Sequence, residues 1–275
     1  MQTAPTLLLT TKLYRPRADL NWVARPVLFA RLDAGLTRKL TLLSAPPGFG
    51  KSTLVSQWLD YLGADKPPDS SGSEIKIQKF CWLSLDQGDN ELVQFLRYLI
   101  AAVRTCEPTA CPTTQSLLGT AQLPSVDYLA DVVVSELTML TVELVLVLDD
   151  YHRIRSDAVH QVMRHLLRYL PPRLHLVILS RTDPPLHLGR LRIEQQLTEL
   201  RASDLRFAVA ETRQFLDRRL SQPLDDDALN LLHARTEGWI TALQLSSIAL
   251  QNHTPHQFLG HFRGSDRLLV SYLVE

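Results

Sequence analysis

The sequence has no excess of either charge, and that balance already excludes several classes of protein. Its 29 Lys and Arg residues are matched by 29 Asp and Glu residues. Binding nucleic acid is therefore not expected to be the main function of this chain, because nucleic-acid-binding domains are usually basic. Hydrophobic residues make up 45% of the chain, which excludes an intrinsically disordered protein. Its 275 residues suffice for one large domain and a small one.

Long apolar runs and cysteines are also scarce. Runs such as 144–148 and 268–272 fall far short of the roughly 18 residues that a membrane span needs. Polar residues interrupt the apolar N-terminal stretch, so no signal peptide is predicted. Three cysteines are an odd number, and no histidine stands close to Cys106 and Cys111 to complete a zinc site. These features predict a reduced, cytoplasmic protein that does not contact a membrane.

Short apolar segments alternate with amphipathic ones over residues 1–207. Strands are predicted at 39–45, 79–85, 143–149, 174–180 and 197–200, with helices at 51–62, 92–103, 125–140 and 157–170. Such alternation favours an α/β domain with a parallel sheet covered on both faces. The Pro-, Ser- and Asp-rich stretch 64–74 and the segment 106–114 are predicted to be loops.

Helical patterns alone follow residue 208. They cover 211–220, 225–236 and 239–251, and predict a second, all-helical domain over 208–275. The sequence stops within an apolar helical pattern at 268–275 that has no capping or stop signal. We therefore expect the chain to be part of a longer protein.

Residues 45–52, with the sequence APPGFGKS, have the form of a phosphate-binding loop (P-loop, or Walker A motif) between a strand and a helix. Gly48 and Gly50 let backbone N–H groups turn toward phosphate oxygens, with Phe49 between them. We expect Lys51 to reach the β- and γ-phosphates, the Ser52 hydroxyl to be a Mg²⁺ ligand, and Thr53 to lie near the α-phosphate.

Two carboxylates end the apolar segment ELVLVLDD, as in a Walker B motif. Asp149 is assigned to Mg²⁺ and Asp150 to orienting or activating the attacking water. A strand-end aspartate that only caps a turn is the alternative, and the P-loop upstream makes it the weaker one. His152, two residues further, is expected to pack or cap the turn, with a role as a switch as the alternative.

Arg181 follows the fourth strand, which should lie between the two Walker strands in a sheet of order 5-1-4-3-2. There it would supply positive charge to the terminal phosphate, although a plain surface arginine fits the same pattern. Val23 and Arg25 precede the first strand, in a segment that would cover adenine.

Several blocks of the chain together resemble the large MalT-type, ATP-dependent LuxR-family transcription regulators, which belong to the STAND class of signal-transduction ATPases. The blocks are LTTKLYRPR, APPGFGKSTLVSQW, FCWLSLDQGDNELVQFLRYLIAAV, LVLVLDDYHRI, LVILSRTDPPL and TEGWITALQLSSIAL. The resemblance implies a P-loop NTPase domain of the ASCE/AAA-like type, followed by a helical lid that runs into a winged-helix region. It also implies lid contacts to the nucleotide at Gly238 and Trp239, although an aromatic residue that only anchors a helix start fits the same pattern.

The same resemblance implies a switch. ADP would be bound at rest and ATP with Mg²⁺ in the active state. Activation would permit self-association. An inducer would bind a sensor domain, and DNA a C-terminal domain, neither of which lies in this chain.

A P-loop enzyme that transfers a phosphoryl group to a small substrate is the alternative, but no acceptor motif is evident in the sequence. No second arginine is evident to stabilise the transition state either, and such an arginine contributes roughly 10³–10⁵ in rate. We therefore expect hydrolysis well below the roughly 1–10³ s⁻¹ typical of enzymes.

Overall fold

A five-stranded parallel sheet forms the centre of the molecule. The computed structural model describes residues 8–17, 22–63 and 79–251. The strands run in the order β2-β3-β4-β1-β5, and their bounds are β1 (Leu40–Ser44), β2 (Lys79–Ser84), β3 (Leu144–Asp149), β4 (Leu174–Ser180) and β5 (Leu197–Arg201). Read from the other edge this is 5-1-4-3-2, so the predicted fold class is confirmed.

The strand register brings the motif-bearing ends of the strands to one edge. Ser44 of β1 is paired with Ser180 of β4, and Ser84 of β2 with Asp149 of β3. Strand β4 separates the two Walker strands β1 and β3. The residues that follow β1, β3 and β4 therefore meet in one crevice, where ligands of open α/β sheets bind.

Helices cover both faces of the sheet. They are α1 (Pro26–Gly35), α2 (Lys51–Gly63), α3 (Leu92–Arg104), α4 (Pro112–Leu117), α5 (Val126–Thr138), α6 (Asp157–Arg168), α7 (Leu188–Ile193) and α8 (Ala202–Leu205). Alternate residues of β3 serve opposite faces, because successive side chains of a strand point to opposite sides. Leu146 packs in the cluster with α3, α5 and α6, and Val147 in the cluster with α1 and α2. Both residues are fully buried.

Four of these helices, α1, α4, α7 and α8, were not predicted. Helix α1 directly follows Val23 and Arg25 of the segment expected to cover adenine, and it begins with Pro26 in the first turn, a position that suits proline. Helix α4 lies partly in the predicted loop 106–114. The Glu136 carboxylate, projecting from α5, accepts hydrogen bonds from the backbone N–H groups of Thr113 and Thr114 at 2.6 and 2.9 Å. A carboxylate from another helix thus satisfies the donors at the start of α4.

Three helices form the region after residue 208, which we call the lid. They are α9 (Val209–Asp217), α10 (Asp226–Thr236) and α11 (Ile240–Leu250). Their buried apolar residues form a cluster that includes Phe215, Leu232 and Leu243, together with Val23 from the N-terminal segment. The Asp225 carboxylate caps α10 by accepting from the backbone N–H of Ala228 at 2.7 Å. The predicted 64–74 loop and the predicted continuation over 252–275 lie outside the described residues.

Two of the blocks that carry the family resemblance meet in space. Lys12, from LTTKLYRPR, is buried, and its Nζ lies 2.5 Å from Asp89 Oδ2 and 3.1 Å from Asp86 Oδ2, both in LDQGDN. The ammonium group also lies 4.1 Å from the centre of the Tyr98 ring. These ion pairs connect the N-terminal segment to the loop that follows β2.

The buried side chain of His175 on β4 forms a hydrogen bond with Thr41 on β1. His175 Nε2 lies 3.0 Å from Thr41 Oγ1, and Nδ1 lies 2.8 Å from the carbonyl oxygen of Arg38. A carbonyl can only accept, so Nδ1 carries the proton and Nε2 accepts from the Thr41 hydroxyl. Burial lowers the pKa of His175 to about 4, against the opposing effect of the Arg38 carbonyl. The neutral ring is therefore the folded form near neutral pH.

Across the described ranges, no helix is both long and apolar enough to cross a membrane.

Candidate functional site

The P-loop connects β1 to α2 at the edge of the sheet where the motifs meet. Gly48 and Gly50 have φ angles of +75° and +71°, in the left-handed region that favours glycine. Helix α2 begins at Lys51, directly after the loop. The N-terminal N–H groups of this helix and the loop amides therefore converge on one point, which is the arrangement that binds phosphate.

Lys51 is held inside this loop. Its Nζ donates hydrogen bonds to the carbonyl oxygens of Ala45 and Pro46 at 2.8 and 3.0 Å. Burial lowers the pKa of Lys51, whereas the charges of Asp149 and Asp150 raise it. The ammonium group thus lies close to both carboxylates, inside the loop that would surround the phosphates.

The two Walker B carboxylates have different surroundings. Asp149 is buried, and burial raises its pKa to about 6, while a hydrogen bond from Ser52 lowers it. Asp150 has a left-handed backbone, with φ of +57°, and its side chain is 46% exposed. The turn directs Asp150 into the crevice while Asp149 stays behind it, in contact with Ser52.

The Ser52 and Asp149 oxygens fit a magnesium ion that a nucleotide helps to hold. Within the described residues no cluster of three or more His, Cys, Asp or Glu side chains could hold a metal. An all-protein cage is not needed, because Mg²⁺ in such sites takes one or two protein oxygens together with phosphate oxygens and water. The buried Asp149 carboxylate is the kind of group that a cation would stabilise in its charged form.

A cavity of about 360 Å³ lies between the P-loop and the lid. Its size falls within the range of roughly 300–1,000 Å³ typical of small-molecule sites. Ten of the predicted site residues line it: Val23, Arg25, Gly48, Phe49, Gly50, Lys51, Ser52, Thr53, Asp150 and Arg181. The structure therefore brings together residues that are far apart in sequence.

Three predicted residues lie behind the cavity wall. Asp149 is buried and in contact with Ser52. Gly238 adopts a left-handed conformation, with φ of +69°, and its carbonyl accepts from Phe207 N at 2.8 Å. The Trp239 ring packs against Phe49, with ring centres 6.1 Å apart. Gly238 and Trp239 thus support the wall, while Ile240, Thr241 and Gln244 of α11 line it.

A hydrogen bond joins the lid directly to the P-loop. Thr241 Oγ1 donates to the Gly48 carbonyl oxygen at 2.9 Å. A Cβ atom on Gly48 would lie 2.3 Å from the same Thr241 Oγ1. Position 48 therefore needs glycine for two reasons, its backbone conformation and the closeness of α11.

Aromatic and long polar side chains also line the cavity. The Arg219 guanidinium lies 4.0 Å from the centre of the Phe215 ring, and Phe207 and Trp22 complete this wall. Such a surface suits a flat heterocyclic base. Sequence reasoning identified neither Phe207, Phe215 nor Arg219, because no local motif marks them.

Arg25 lines the cavity, but its guanidinium group forms hydrogen bonds with residues outside the cavity lining. It donates to the carbonyl oxygens of Leu205 and Arg206, each at 2.7 Å, and to Glu211 Oε1 at 2.9 Å. These acceptors span the junction between the sheet domain and the lid. The contacts assign Arg25 to holding the junction.

Arg181 lines the cavity together with Asp150. It also lines a neighbouring cavity with Arg153 and Arg155, so arginines that the sequence did not link to the site stand near Arg181. His152 Nδ1 lies 3.8 Å from Asp150 Oδ1, too far for a hydrogen bond. Burial lowers the pKa of His152, as do the charges of Arg181 and Arg153, whereas Asp150 raises it.

The sheet order and the loop geometry define the class of the protein, a P-loop NTPase. A similar fold occurs in a signal transduction ATPase with numerous domains (STAND) from Pyrococcus horikoshii, which carries a tetratricopeptide repeat sensor. That match has a TM-score of 0.59 at 12% identity and covers 94% of this chain and 33% of the other.

Residues 21–181 match the family model described as Nephrocystin 3, N-terminal, and the chain belongs to this family. It is also 38% identical over 250 residues to the HTH-type transcriptional regulator MalT of Yersinia pestis (strain Pestoides F) and to that of Yersinia enterocolitica. Each alignment covers 91% of this chain and 26% of the relative. The predicted resemblance to the MalT-type STAND regulators is thereby confirmed.

Proposed function

We propose that this chain is the ATP-binding, slowly hydrolysing switch module of a cytoplasmic transcription regulator. The observation that carries the proposal is the cavity between the P-loop and the lid, which is lined by Lys51, Ser52 and Asp150 from the sheet domain and by Phe215 and Arg219 from the lid. A triphosphate would lie against the first group and an adenine base against the second. Because the lid contributes one wall, the bound nucleotide would set the lid position.

Each polar side chain has one task in this proposal. Lys51 leaves the two loop carbonyls and pairs with the β- and γ-phosphates. Ser52 and Asp149 supply oxygens for Mg²⁺, which would neutralise phosphate charge when bound. Asp150 orients the attacking water, and Arg181 supplies charge at the terminal phosphate.

The longer protein would read the nucleotide state. We infer that ADP is bound at rest, and that ATP favours self-association and DNA binding. The chain covers 26% of the MalT relatives, so an inducer-binding sensor and a DNA-binding domain would lie in regions outside it.

Two variants separate binding from hydrolysis. Lys51→Ala should abolish tight ADP and ATP binding, because it removes the cation inside the loop. Asp150→Asn should keep nucleotide binding and lose most of the residual hydrolysis. Equilibrium binding of a fluorescent ADP and single-turnover ATP hydrolysis measure the two effects. Lys79→Ala is the matched control, since Lys79 lies at the opposite edge of the sheet and binds the Cys106 carbonyl.

Two results would count against this function. Unchanged nucleotide affinity in Lys51→Ala would remove the P-loop from the site. Fast multiple turnover with rapid ADP release, stimulated by a small phosphate acceptor, would instead favour the alternative, an enzyme that transfers a phosphoryl group to a small substrate.

A further inference from the structure

A second cavity adjoins the nucleotide cavity at the end where the terminal phosphate would lie. It measures about 460 Å³ and shares Arg181 with the first cavity. Its other lining residues are Gln87, Asn90, His152, Arg153 and Arg155. All six residues are polar, three carry guanidinium groups, and none is a carboxylate.

The loop that carries two of these arginines is held in place by Asn90. Its amide nitrogen donates to the Gln87 and Arg153 carbonyl oxygens at 2.9 and 3.0 Å. Its amide oxygen accepts from the backbone N–H groups of Arg155 and Ser156 at 2.5 and 3.0 Å. One side chain thus fixes the loop after β3 against the loop after β2. The backbone that carries Arg153 and Arg155 is therefore fixed, while their side chains are exposed to solvent.

No carboxylate lines this cavity within the described part of the chain. Within the described residues, Arg153, Arg155 and Arg181 form no ion pair with a carboxylate. Asp150 is the nearest acid to His152, at 3.8 Å, and it faces the nucleotide cavity. Grouped guanidinium ions repel one another, and a bound anion would relieve that repulsion.

The lining also defines the kind of anion. No aromatic or apolar side chain is present to hold a base or a hydrophobic peptide. A small, hydrated oxyanion fits such a polar space. ATP hydrolysis breaks the bond between the γ-phosphorus and the bridging oxygen, transfers the water oxygen to phosphorus, and gives ADP, a proton and orthophosphate. The orthophosphate would appear beside Arg181, at the entrance to this cavity.

We propose that the cavity bounded by Arg153, Arg155 and Arg181 is a binding site for the orthophosphate released by ATP hydrolysis. The proposal rests on the proposed nucleotide site, because hydrolysis there is the source of the anion. Occupancy of the cavity would hold orthophosphate next to ADP after cleavage. The module would then have a third state, with both products bound, between its ATP and ADP states.

Titration calorimetry with inorganic phosphate tests the site in protein saturated with ADP and Mg²⁺. We expect saturable binding of one phosphate per chain. Arg153→Gln and Arg155→Gln should each weaken it by about tenfold, the size of one lost hydrogen bond to a charged group. Their ADP affinity should stay within about twofold of wild type. Arg190→Gln, an exposed arginine paired with Glu194, is the matched control and should change neither value.

Lys51→Ala distinguishes a failure of this proposal from a failure of the nucleotide site. This variant should lose ADP and still bind phosphate. Phosphate binding that disappears with Lys51→Ala would place the anion in the P-loop, and binding that survives the Arg153→Gln/Arg155→Gln double change would place it outside this cavity. Either result would overturn the proposal. Phosphate bound by wild-type protein that cannot bind ADP would overturn the nucleotide site alone. A duplex oligonucleotide that binds through the same arginines when phosphate does not would also refute the proposal, in favour of a nucleic-acid surface.

Discussion

Replacing Arg25 by alanine should loosen the junction between the sheet domain and the lid. The Arg25 side chain is only 9% exposed, and it donates to the Leu205 and Arg206 carbonyls as well as to Glu211. Removing one partner of a buried ion pair costs about 3–5 kcal/mol, because the remaining groups lose their compensation. Glu211 is 24% exposed and can regain some hydration, so we expect a loss near the lower end, about 3 kcal/mol.

Urea unfolding in the absence of nucleotide measures this effect directly. Glu211→Gln removes the charge of the partner but keeps its shape, and it should cost less than Arg25→Ala. Arg31→Ala breaks the exposed pair between Arg31 and Asp204, for which we expect about 1 kcal/mol or less. An Arg25→Ala protein with unchanged nucleotide-free stability but at least tenfold weaker ADP binding would refute this reasoning and make Arg25 a direct nucleotide contact.

Three further changes test other contacts. Lowering the pH from 7.5 to 5 should reduce the unfolding free energy by about 2 kcal/mol through His175, because between its unfolded pKa near 6.5 and its folded pKa of about 4 only the unfolded chain takes up the proton. A His175→Gln protein should lack that part of the pH dependence in urea titrations. Gly238→Ala should cost at least about 2 kcal/mol in thermal unfolding, since φ is +69° and its Cβ would lie 2.2 Å from the Phe207 carbonyl oxygen. Thr241→Val should lower the free energy of unfolding by about 1 kcal/mol and speed amide hydrogen exchange in α11, because the Gly48 carbonyl loses its hydrogen bond. Unchanged exchange would show that this contact does not hold the lid.

The sheet could be predicted because the residues of each strand form a recognisable pattern within one short segment. The segment 144–148 is a continuous apolar run, and such a run is typical of a parallel strand buried on both faces. The motifs after β1 and β3 then fixed the strand order. Helix α4 could not be predicted in the same way, because the group that satisfies its first N–H groups is Glu136, which comes from a different helix.

The residues of the candidate site also differ in whether the sequence alone could predict them. Gly48 to Thr53 were predicted because one short segment supplies both the turn and the helix start. Phe207, Phe215 and Thr241 reach the cavity only through packing of the lid, and nothing in the neighbouring sequence sets them apart from ordinary core or surface residues. Arg153 and Arg155 lie close to the Walker B motif in sequence. That they line one cavity with Arg181 depends on the strand order and on the Asn90 side chain, which local sequence does not reveal.

The contact between Thr241 and Gly48 also has a mechanical consequence. Helix α11 is held at its first turn by the P-loop and spans 11 residues, so it is a rod about 16 Å long with a fixed end. A tilt of about 10° at the P-loop would displace the far end by about 3 Å, since displacement grows with distance from the pivot. A rearrangement too small to alter the sheet could therefore be amplified at Leu250, where the helix ends.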